Sequence, residues 1–293
     1  MRFRIIHTTS YIYHESIGLC HNIARLIPRS TEKQECIQTV ININPEPGVL
    51  SEYEDFFGNR LIYFAIQREH KQLTVTVCSE VEKKDSPTIE MDLYSHTSWE
   101  MVKDQLFELS NESIAARQFI PETAMTASTP EIQDYAKASF SPGRPLYDAA
   151  FDLMQRIFRD FEFKPGFTTV TIPASEIVRQ RKGVCQDFAH VAIACLRSLG
   201  LPARYVSGYI ETISPAGTEK LVGVDASHAW FSVFVPGLGW VDFDPTNNQI
   251  PADQHIVIGW GRDYSDISPV RGVISSSGPH ELSVAVDVSR IDV

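Results

Sequence analysis

Three residues of the types used in nucleophilic catalysis lie in the second half of the chain: Cys185, His228 and Asp244. A cysteine can attack an amide carbonyl, a histidine can move the proton, and a carboxylate can orient the histidine. Each residue alone has an ordinary structural interpretation, as a packed thiol, a strand histidine or a turn-forming aspartate before Pro245. Their order on the elements predicted below favours the joint catalytic interpretation.

The sequence around Cys185 predicts a buried helix that begins at or near this residue. Small and apolar residues dominate from 185 to 200, and Gly200 and Pro202 predict the end of the helix. Backbone N–H groups at a helix N-terminus lack intrahelical partners, and with the helix dipole they stabilise an anion. The thiolate form of Cys185 is therefore favoured, and the basic run at 179–182 is expected to add positive charge nearby.

Other polar residues of this helix suggest different roles. Cys185, His190 and Cys195 could be zinc ligands, but spacings of five along one helix direct their side chains apart, and no fourth ligand is evident. Cys195 is predicted to be an inert core residue. Asp187 is expected to turn away from Cys185 and make structural hydrogen bonds. We therefore predict no metal and no other cofactor.

Strands are predicted after the helix at 203–210, 227–234 and 240–244, with residues 236–239 as the turn of a hairpin. His228 begins one strand of this hairpin and Asp244 ends the other, so the two can be cross-strand neighbours. Trp230 shares a face with His228, and Trp240 begins the partner strand; both are either core aromatics or part of a substrate groove. Arg204 and Tyr209 either support the sheet or line the cleft.

The predicted fold class is α+β, with an N-terminal β-sandwich over residues 1–85, a helical linker at 86–144 and a catalytic core at 145–293 in which the Cys185 helix packs on an antiparallel sheet. In the sandwich, alternate residues are apolar in a run that predicts a strand: Leu73, Val75, Val77 and Val81. The linker is expected to carry one or two short helices. The core is expected to open with an amphipathic helix whose apolar face consists of Leu146, Ala150, Leu153, Ile157 and Phe161. Alternatively, a tail strand at 282–288 packs back on the N-terminal sheet and merges the two domains.

Composition excludes some partners. The chain has 293 residues with 26 Lys and Arg against 37 Asp and Glu, a net charge of −11, which argues against nucleic-acid binding. No apolar run approaches the roughly 20 residues of a membrane helix, and the start of the chain alternates too early for a signal peptide. Five cysteines without a disulfide framework predict a reduced, cytoplasmic protein. Nothing in the sequence indicates an oligomeric state.

Four sequence blocks closely resemble the bacterial transglutaminase-like family, which belongs to the papain-like cysteine-enzyme superfamily. The blocks are Gly-Val-Cys-Gln-Asp-Phe-Ala-His (183–190), Leu-Pro-Ala-Arg-Tyr-Val-Ser-Gly-Tyr (201–209), Ser-His-Ala-Trp (227–230) and Gly-Trp-Val-Asp-Phe-Asp-Pro-Thr (239–246). The β-rich start and residues 261–264 and 269–272 are similar to the N- and C-terminal parts of that family. The resemblance implies that Cys185 is the nucleophile, His228 the general base and acid, and Asp244 the orienting carboxylate.

Three functions follow from this resemblance. A cysteine protease or amidase would cleave a peptide or protein amide and release the thioester to water. A transglutaminase would transfer the same acyl group to an amine. A scaffold or binding protein would keep the fold without catalysis, which the intact triad disfavours. We expect hydrolysis, because no acceptor-lysine site is evident and water is always present.

Overall fold

A computed structural model describes residues 1–84, 96–108, 110–168, 171–212, 226–275 and 278–291. In these residues the protein has fourteen strands, mostly in antiparallel sheets, and seven helices, so the predicted α+β fold class is confirmed. Residues 86–95 and 109 of the predicted linker lie outside the described part. No helix of the described part has the length and apolar character needed to cross a membrane.

The elements follow one another along the chain in a β-rich, then helical, then mixed order. The strands are β1 (Arg2–Ile17), β2 (Cys20–Ala24), β3 (Gln34–Asn44), β4 (Val49–Glu54), β5 (Arg60–Ile66), β6 (His70–Lys83), β7 (Glu162–Phe163), β8 (Lys182–Gly183), β9 (Ala203–Ile210), β10 (Ala226–Val235), β11 (Gly239–Phe243), β12 (His255–Gly261), β13 (Val270–Ile274) and β14 (His280–Ile291). The helices are α1 (Trp99–Gln105), α2 (Asn111–Arg117), α3 (Pro130–Lys137), α4 (Leu146–Asp160), α5 (Ala174–Gln180), α6 (Cys185–Ser198) and α7 (Tyr264–Ile267).

Two four-stranded sheets, in the orders β14-β1-β6-β3 and β13-β2-β5-β4, form the predicted sandwich. The apolar residues that alternate along β6 are buried, as the sequence pattern predicts. Leu73, Val75 and Val77 share a core cluster with residues of β2 and β5, among them Cys20, Ile62 and Phe64. The two sheets therefore bury one common apolar layer, which stabilises the β-rich part of the chain.

The sandwich also contains strands from the end of the chain. β14 pairs antiparallel with β1 over a register that runs from Arg2 opposite Ile291 to Tyr13 opposite His280. β13 pairs with β2 in the other sheet. The strand expected at 282–288 thus lies within β14 and packs back on the N-terminal sheet. The domain limits at residues 85 and 145 stay a prediction.

The described part of the linker contains three short helices, α1 to α3, where one or two were expected. Ser98, Ser110 and Thr129 cap them, each accepting a hydrogen bond from a backbone N–H of the first turn. Each helix has only seven or eight residues, too few for a clear apolar periodicity in the sequence. Their buried side chains, such as Val102 and Ile132, belong to the same core cluster as those of α4 and α6.

The second half of the chain is built around α6, which packs on a third sheet of order β11-β10-β9-β12. The predicted amphipathic helix is α4, and its expected apolar face, including Leu146 and Leu153, is buried against the same core. β9 and β10 form the centre of the sheet, and the β10–β11 hairpin turns at residues 236–238. This arrangement places the start of α6 over the end of β10 that carries His228.

The sandwich packs directly on the third sheet through a separate apolar cluster. Its members are Phe3, Ile5, Val81, Val286 and Val288 from the sandwich, with Tyr209, Ile256 and Ile258 from β9 and β12. Tyr209 Oη also lies 3.0 Å from His7 Nδ1, and the two side chains are hydrogen-bonded. Tyr209 therefore supports the packing of two sheets and does not line the cleft.

Gly208 lies at a point of the third sheet that has no room for a side chain. A Cβ atom at this position would lie 2.2 Å from the carbonyl oxygen of Ile256 and 2.5 Å from the Trp230 ring. Since β9 lies between β10 and β12, its neighbours cannot move apart without disrupting strand pairing. We expect Gly208→Ala to lower the free energy of unfolding by about 3 kcal/mol, measured by urea denaturation.

Gly48→Ala is the matched control for this substitution. Gly48 is exposed, and no atom outside its chain neighbours lies within 4 Å of the position of an added Cβ. The control should change the free energy of unfolding by less than about 0.5 kcal/mol. Equal losses at both positions would contradict the steric explanation.

Candidate active site

Cys185 is the first residue of α6, and a local hydrogen-bond arrangement fixes the chain just before it. The Asp187 carboxylate accepts hydrogen bonds from the Val184 N–H at 2.8 Å and from Thr168 Oγ1 at 2.7 Å. Gly183 makes this possible, since a Cβ there would lie 2.8 Å from the Asp187 carboxylate. Burial raises the pKa of Asp187, although these two hydrogen bonds oppose the rise. Asp187 thus makes structural hydrogen bonds, as predicted.

The basic residues before Cys185 interact with groups other than the thiol. Arg179 pairs with Glu176 at 3.1 Å, and Lys182 pairs with Glu162 at 3.1 Å. The Arg181 guanidinium lies over the ring of Tyr135, 4.6 Å from its centroid. Each of these cations has a partner of its own, and the expectation that the run adds positive charge at Cys185 stays a prediction. The helix N-terminus remains as the local source of positive potential.

His228 and Asp244 lie side by side on the β10–β11 hairpin, as the sequence predicts. The register places Phe231 opposite Phe243, so His228 and Asp244 share one face near the open end of the hairpin. His228 Nε2 lies 2.8 Å from Asp244 Oδ2. Both residues are buried, with 7% and 0% of their surfaces exposed.

The Asp244 carboxylate accepts hydrogen bonds from further donors that the sequence analysis did not identify. Oδ1 accepts from the backbone N–H groups of Thr246 and Asn247, and Oδ2 accepts from Asn247 Nδ2 at 2.8 Å. His255 Nε2, on β12, lies 3.0 Å from the same Oδ2. The sequence Asp-Pro-Thr-Asn at 244–247 indicates a turn in which the Asp244 side chain accepts from the backbone N–H groups that follow it, so this part of the network has a local signal. No local pattern marks His255.

The charges of these groups stabilise one another. Burial alone would raise the pKa of Asp244, but hydrogen bonds from His228, His255 and Asn247 and the charge of His228 hold it below its usual range. Burial likewise would lower the pKa of His228, but hydrogen bonds with Asp244 and Cys185 and their charges raise it to about 10. His228 Nε2 is engaged by Asp244, so Nδ1 is the ring nitrogen available to Cys185.

A cavity of about 260 Å³ lies beside Cys185 and His228. Tyr205 lines it from the third sheet. Burial raises the pKa of the Tyr205 hydroxyl well above its usual value, and the charge of Cys185 raises it further. The two tryptophans are core aromatics and are not among the described residues that line the cavity. Trp230 is fully buried between Gly208 and His255, and Trp240 packs on Phe119.

Arg204 packs within the protein and is not among the described residues that line the cavity. Its guanidinium lies between two indole rings, 4.3 Å from the centroid of Trp240 and 3.8 Å from that of Trp260. Burial lowers the pKa of Arg204 to about 9, against the opposing charge of Asp242. These contacts support the interpretation that Arg204 stabilises the sheet.

Cys185, His190 and Cys195, which were considered as zinc ligands and disfavoured, do not form a possible metal site among the described residues. His190 Nε2 accepts a hydrogen bond from the Tyr264 N–H at 3.1 Å, and Cys195 is buried with its sulfur 3.7 Å from the Ile132 carbonyl. Among the described residues, His228, Asp244 and His255 have possible ligand atoms within 4.8 Å of one another. Those atoms are already hydrogen-bonded to each other in a buried site, so we interpret them as a hydrogen-bonded set.

Comparison with known families matches both halves of the chain. Residues 3–82 match the bacterial transglutaminase-like N-terminal region, and residues 133–245 match the transglutaminase-like superfamily. The second match spans the start of α6 and the β10–β11 hairpin and therefore includes Cys185, His228 and Asp244.

Individual proteins resemble the chain over different lengths. An uncharacterized protein of Mycobacterium tuberculosis is 38% identical over 98% of this chain and 92% of its own length. A protein-glutamine gamma-glutamyltransferase of Pseudomonas aeruginosa is 32% identical over 34% of this chain and 16% of its own. The crystal structure of a proposed cysteine protease from Cytophaga hutchinsonii shares the fold, with a TM-score of 0.79, 21% identity, and coverage of 100% of this chain and 91% of that one. The chain thus belongs to the transglutaminase-like superfamily and carries the bacterial transglutaminase-like N-terminal region.

Proposed function

We propose that the protein is a cysteine-dependent protease or amidase that cleaves an amide of a peptide or protein substrate. One observation carries this proposal: His228 Nε2 lies 2.8 Å from Asp244 Oδ2, and His228 and Cys185 line the same cavity, which can admit a substrate. The three residues come from the start of α6, from β10 and from the position directly after β11, and in this proposal they act as nucleophile, base and orienting carboxylate.

The proposed reaction has two steps. Cys185 Sγ, with its proton on His228, attacks the amide carbonyl carbon, and the resulting oxyanion is stabilised near the Cys185 backbone N–H at the start of α6. When the C–N bond breaks, His228 gives its proton to the leaving amine or ammonia, and a thioester remains. Water then attacks the thioester while His228 accepts its proton, and the acid leaves with Cys185 restored.

Asp244 contributes to both steps by holding His228. Its carboxylate fixes Nε2, which leaves Nδ1 directed to Cys185, and its charge stabilises the imidazolium. The backbone N–H bonds from Thr246 and Asn247 in turn fix the carboxylate. The histidine is thereby held in one orientation and tautomer throughout the reaction.

A transglutaminase is the second candidate, because the same thioester can be resolved by an amine. The gamma-glutamyltransferase from P. aeruginosa supports this alternative, although the similarity covers only 34% of this chain. The full-length relatives do not separate the two reactions. We favour hydrolysis since no site for an acceptor lysine is evident, and water reaches any site that an amine can reach.

Incubation with glutaminyl peptides, with and without a labelled primary amine, separates these functions. Hydrolysis predicts released ammonia or cleaved peptide with little incorporated label, and Cys185→Ala should abolish both products. Label incorporation that exceeds the hydrolytic product would favour the transglutaminase. If a broad panel of amides gives neither product, the protein keeps the fold as a scaffold, and the catalytic proposal is wrong.

We also propose that the protein acts in the cytoplasm. All five cysteines are free thiols, including the half-buried Cys36, Cys78 and Cys185. A reducing compartment keeps such thiols unoxidised, and the proposed nucleophile requires this. A fusion to a redox-insensitive fluorescent protein, followed by cell fractionation, would test the location.

A further inference from the structure

The cavity beside Cys185 has a wall that the catalytic half of the chain does not supply. This wall consists of His7, Thr9 and Tyr11 from β1 and Leu282 and Val284 from β14. The register places Tyr11 opposite Leu282 and Thr9 opposite Val284. Because cross-strand partners share one face of a sheet, the five side chains form a continuous surface, which we call the β1–β14 wall.

The apolar residues of the β1–β14 wall are exposed beside the cavity. Leu282 and Val284 are 55% and 48% exposed. On the same face of β14, Val286 and Val288 are buried against the third sheet. One apolar stripe is therefore covered along half its length and open beside Cys185. Large apolar side chains left open in a concave site indicate a surface that a ligand covers.

The β1–β14 wall offers no charged partner. None of the described residues that line the cavity is an aspartate, glutamate, lysine or arginine, although the chain carries a net charge of −11. His7 is hydrogen-bonded to Tyr209 and Thr9, and burial lowers the pKa of His7 to about 4, so it is neutral at pH 7. The charged His228 also lines the cavity but is already paired with Asp244, so an ionised substrate group placed against the wall would lose hydration without gaining an ion pair there.

We propose that the β1–β14 wall is a specificity surface that accepts an uncharged, apolar side chain of the peptide substrate, next to the amide attacked by Cys185. This inference rests on the proposed function, since the ligand is the substrate of that reaction. A cavity of about 260 Å³ is just below the range of about 300–1,000 Å³ for drug-sized ligands, so it holds one large side chain. The N-terminal region thus selects the substrate while the catalytic half cleaves it.

The test uses thiol reagents of different charge and needs no known substrate. N-benzyl iodoacetamide and two derivatives of similar size, one with a carboxylate and one with an ammonium group, are compared at Cys185 by peptide mapping. The rate of each reagent at Cys185 is divided by the rate of the same reagent with glutathione, which corrects for differences in the intrinsic reactivity of the reagents. The benzyl reagent should be favoured about tenfold over both charged reagents, as expected from burial of part of its ring.

Lysine substitutions locate the preference on the wall. Leu282→Lys should remove most of the preference for the benzyl reagent and favour the carboxylate reagent, and the exposure of Leu282 makes this substitution compatible with folding. Ser283→Lys is the matched control, because Ser283 is exposed, adjacent in sequence and on the opposite face of β14. It should leave the preference unchanged.

Two results would overturn the inference while leaving the proposed function intact. They are equal normalised rates for the three reagents in the unmodified protein, and equal effects of the two lysine substitutions. In both cases Cys185 would still react rapidly with iodoacetamide itself and lose that reactivity in His228→Ala. Slow reaction with every reagent, with no effect of His228→Ala, would instead reject the proposed function and the inference that rests on it.

Discussion

At pH 6, iodoacetamide is expected to alkylate Cys185 about 10- to 100-fold faster than the other four cysteines. A free thiol with a pKa of about 8.5 is less than about 1% ionised at this pH, and only the thiolate reacts. His228, whose pKa is about 10, keeps its proton and can hold Cys185 as a thiolate partner. The Cys185–His228 pair should therefore already be reactive at pH 6.

Cys36 and Cys78 are the internal controls, since both are half-buried like Cys185 and access alone would not separate the three. His228→Ala should slow alkylation of Cys185 by about 10- to 100-fold and leave these controls unchanged, because the imidazolium is lost without a change at the other sites. Mass spectrometry of the labelled peptides gives the rates. Equal labelling of Cys185 and the controls would show that Cys185 is an ordinary thiol and would end the catalytic proposal.

The parts of the site that could be predicted from the sequence are those fixed by local structure. A short turn sets the register of the β10–β11 hairpin, so the sequence positions of His228 and Asp244 are enough to place them together. Asp187 is also local, because its partner Val184 is three residues away. The strand alternation in β6 and the apolar face of α4 were predictable for the same reason, since each repeats within one element.

The parts that could not be predicted depend on contacts between distant segments. His255 reaches Asp244 only because β12 pairs with β9 on the far side of β10, and sheet order leaves no trace in local spacing. The packing of a tail strand on the N-terminal sheet was one of two alternatives, but the register that places Leu282 and Val284 opposite Tyr11 and Thr9 has no sequence signature. The partners of the basic run at 179–182, such as Glu162, are likewise brought to it by tertiary packing and could not be predicted.

Asp244→Asn is expected to slow the proposed release of ammonia or peptide by about 10³- to 10⁴-fold, as loss of the charged orienting group does in comparable triads. The amide keeps the size of the carboxylate but carries no charge, and its N–H cannot accept from His228. Burial would then dominate, so the pKa of His228 should fall from about 10 towards the ordinary value of about 6.5 or below. His228 would become neutral over most of the range in which the unmodified protein holds it charged.

NMR titration of the histidine ring signals measures this shift without a substrate. His7 is the control within the same molecule: its low pKa arises from burial and it is hydrogen-bonded to Tyr209 and Thr9, so it should titrate near 4 in both proteins. Alkylation of Cys185 should be affected less by Asp244→Asn than by His228→Ala, because Asp244 acts on the sulfur only through the imidazole. If His228 still titrated near 10 in Asp244→Asn, Cys185 alone would stabilise the His228 imidazolium. The proposed role of the Asp244 charge would then be wrong.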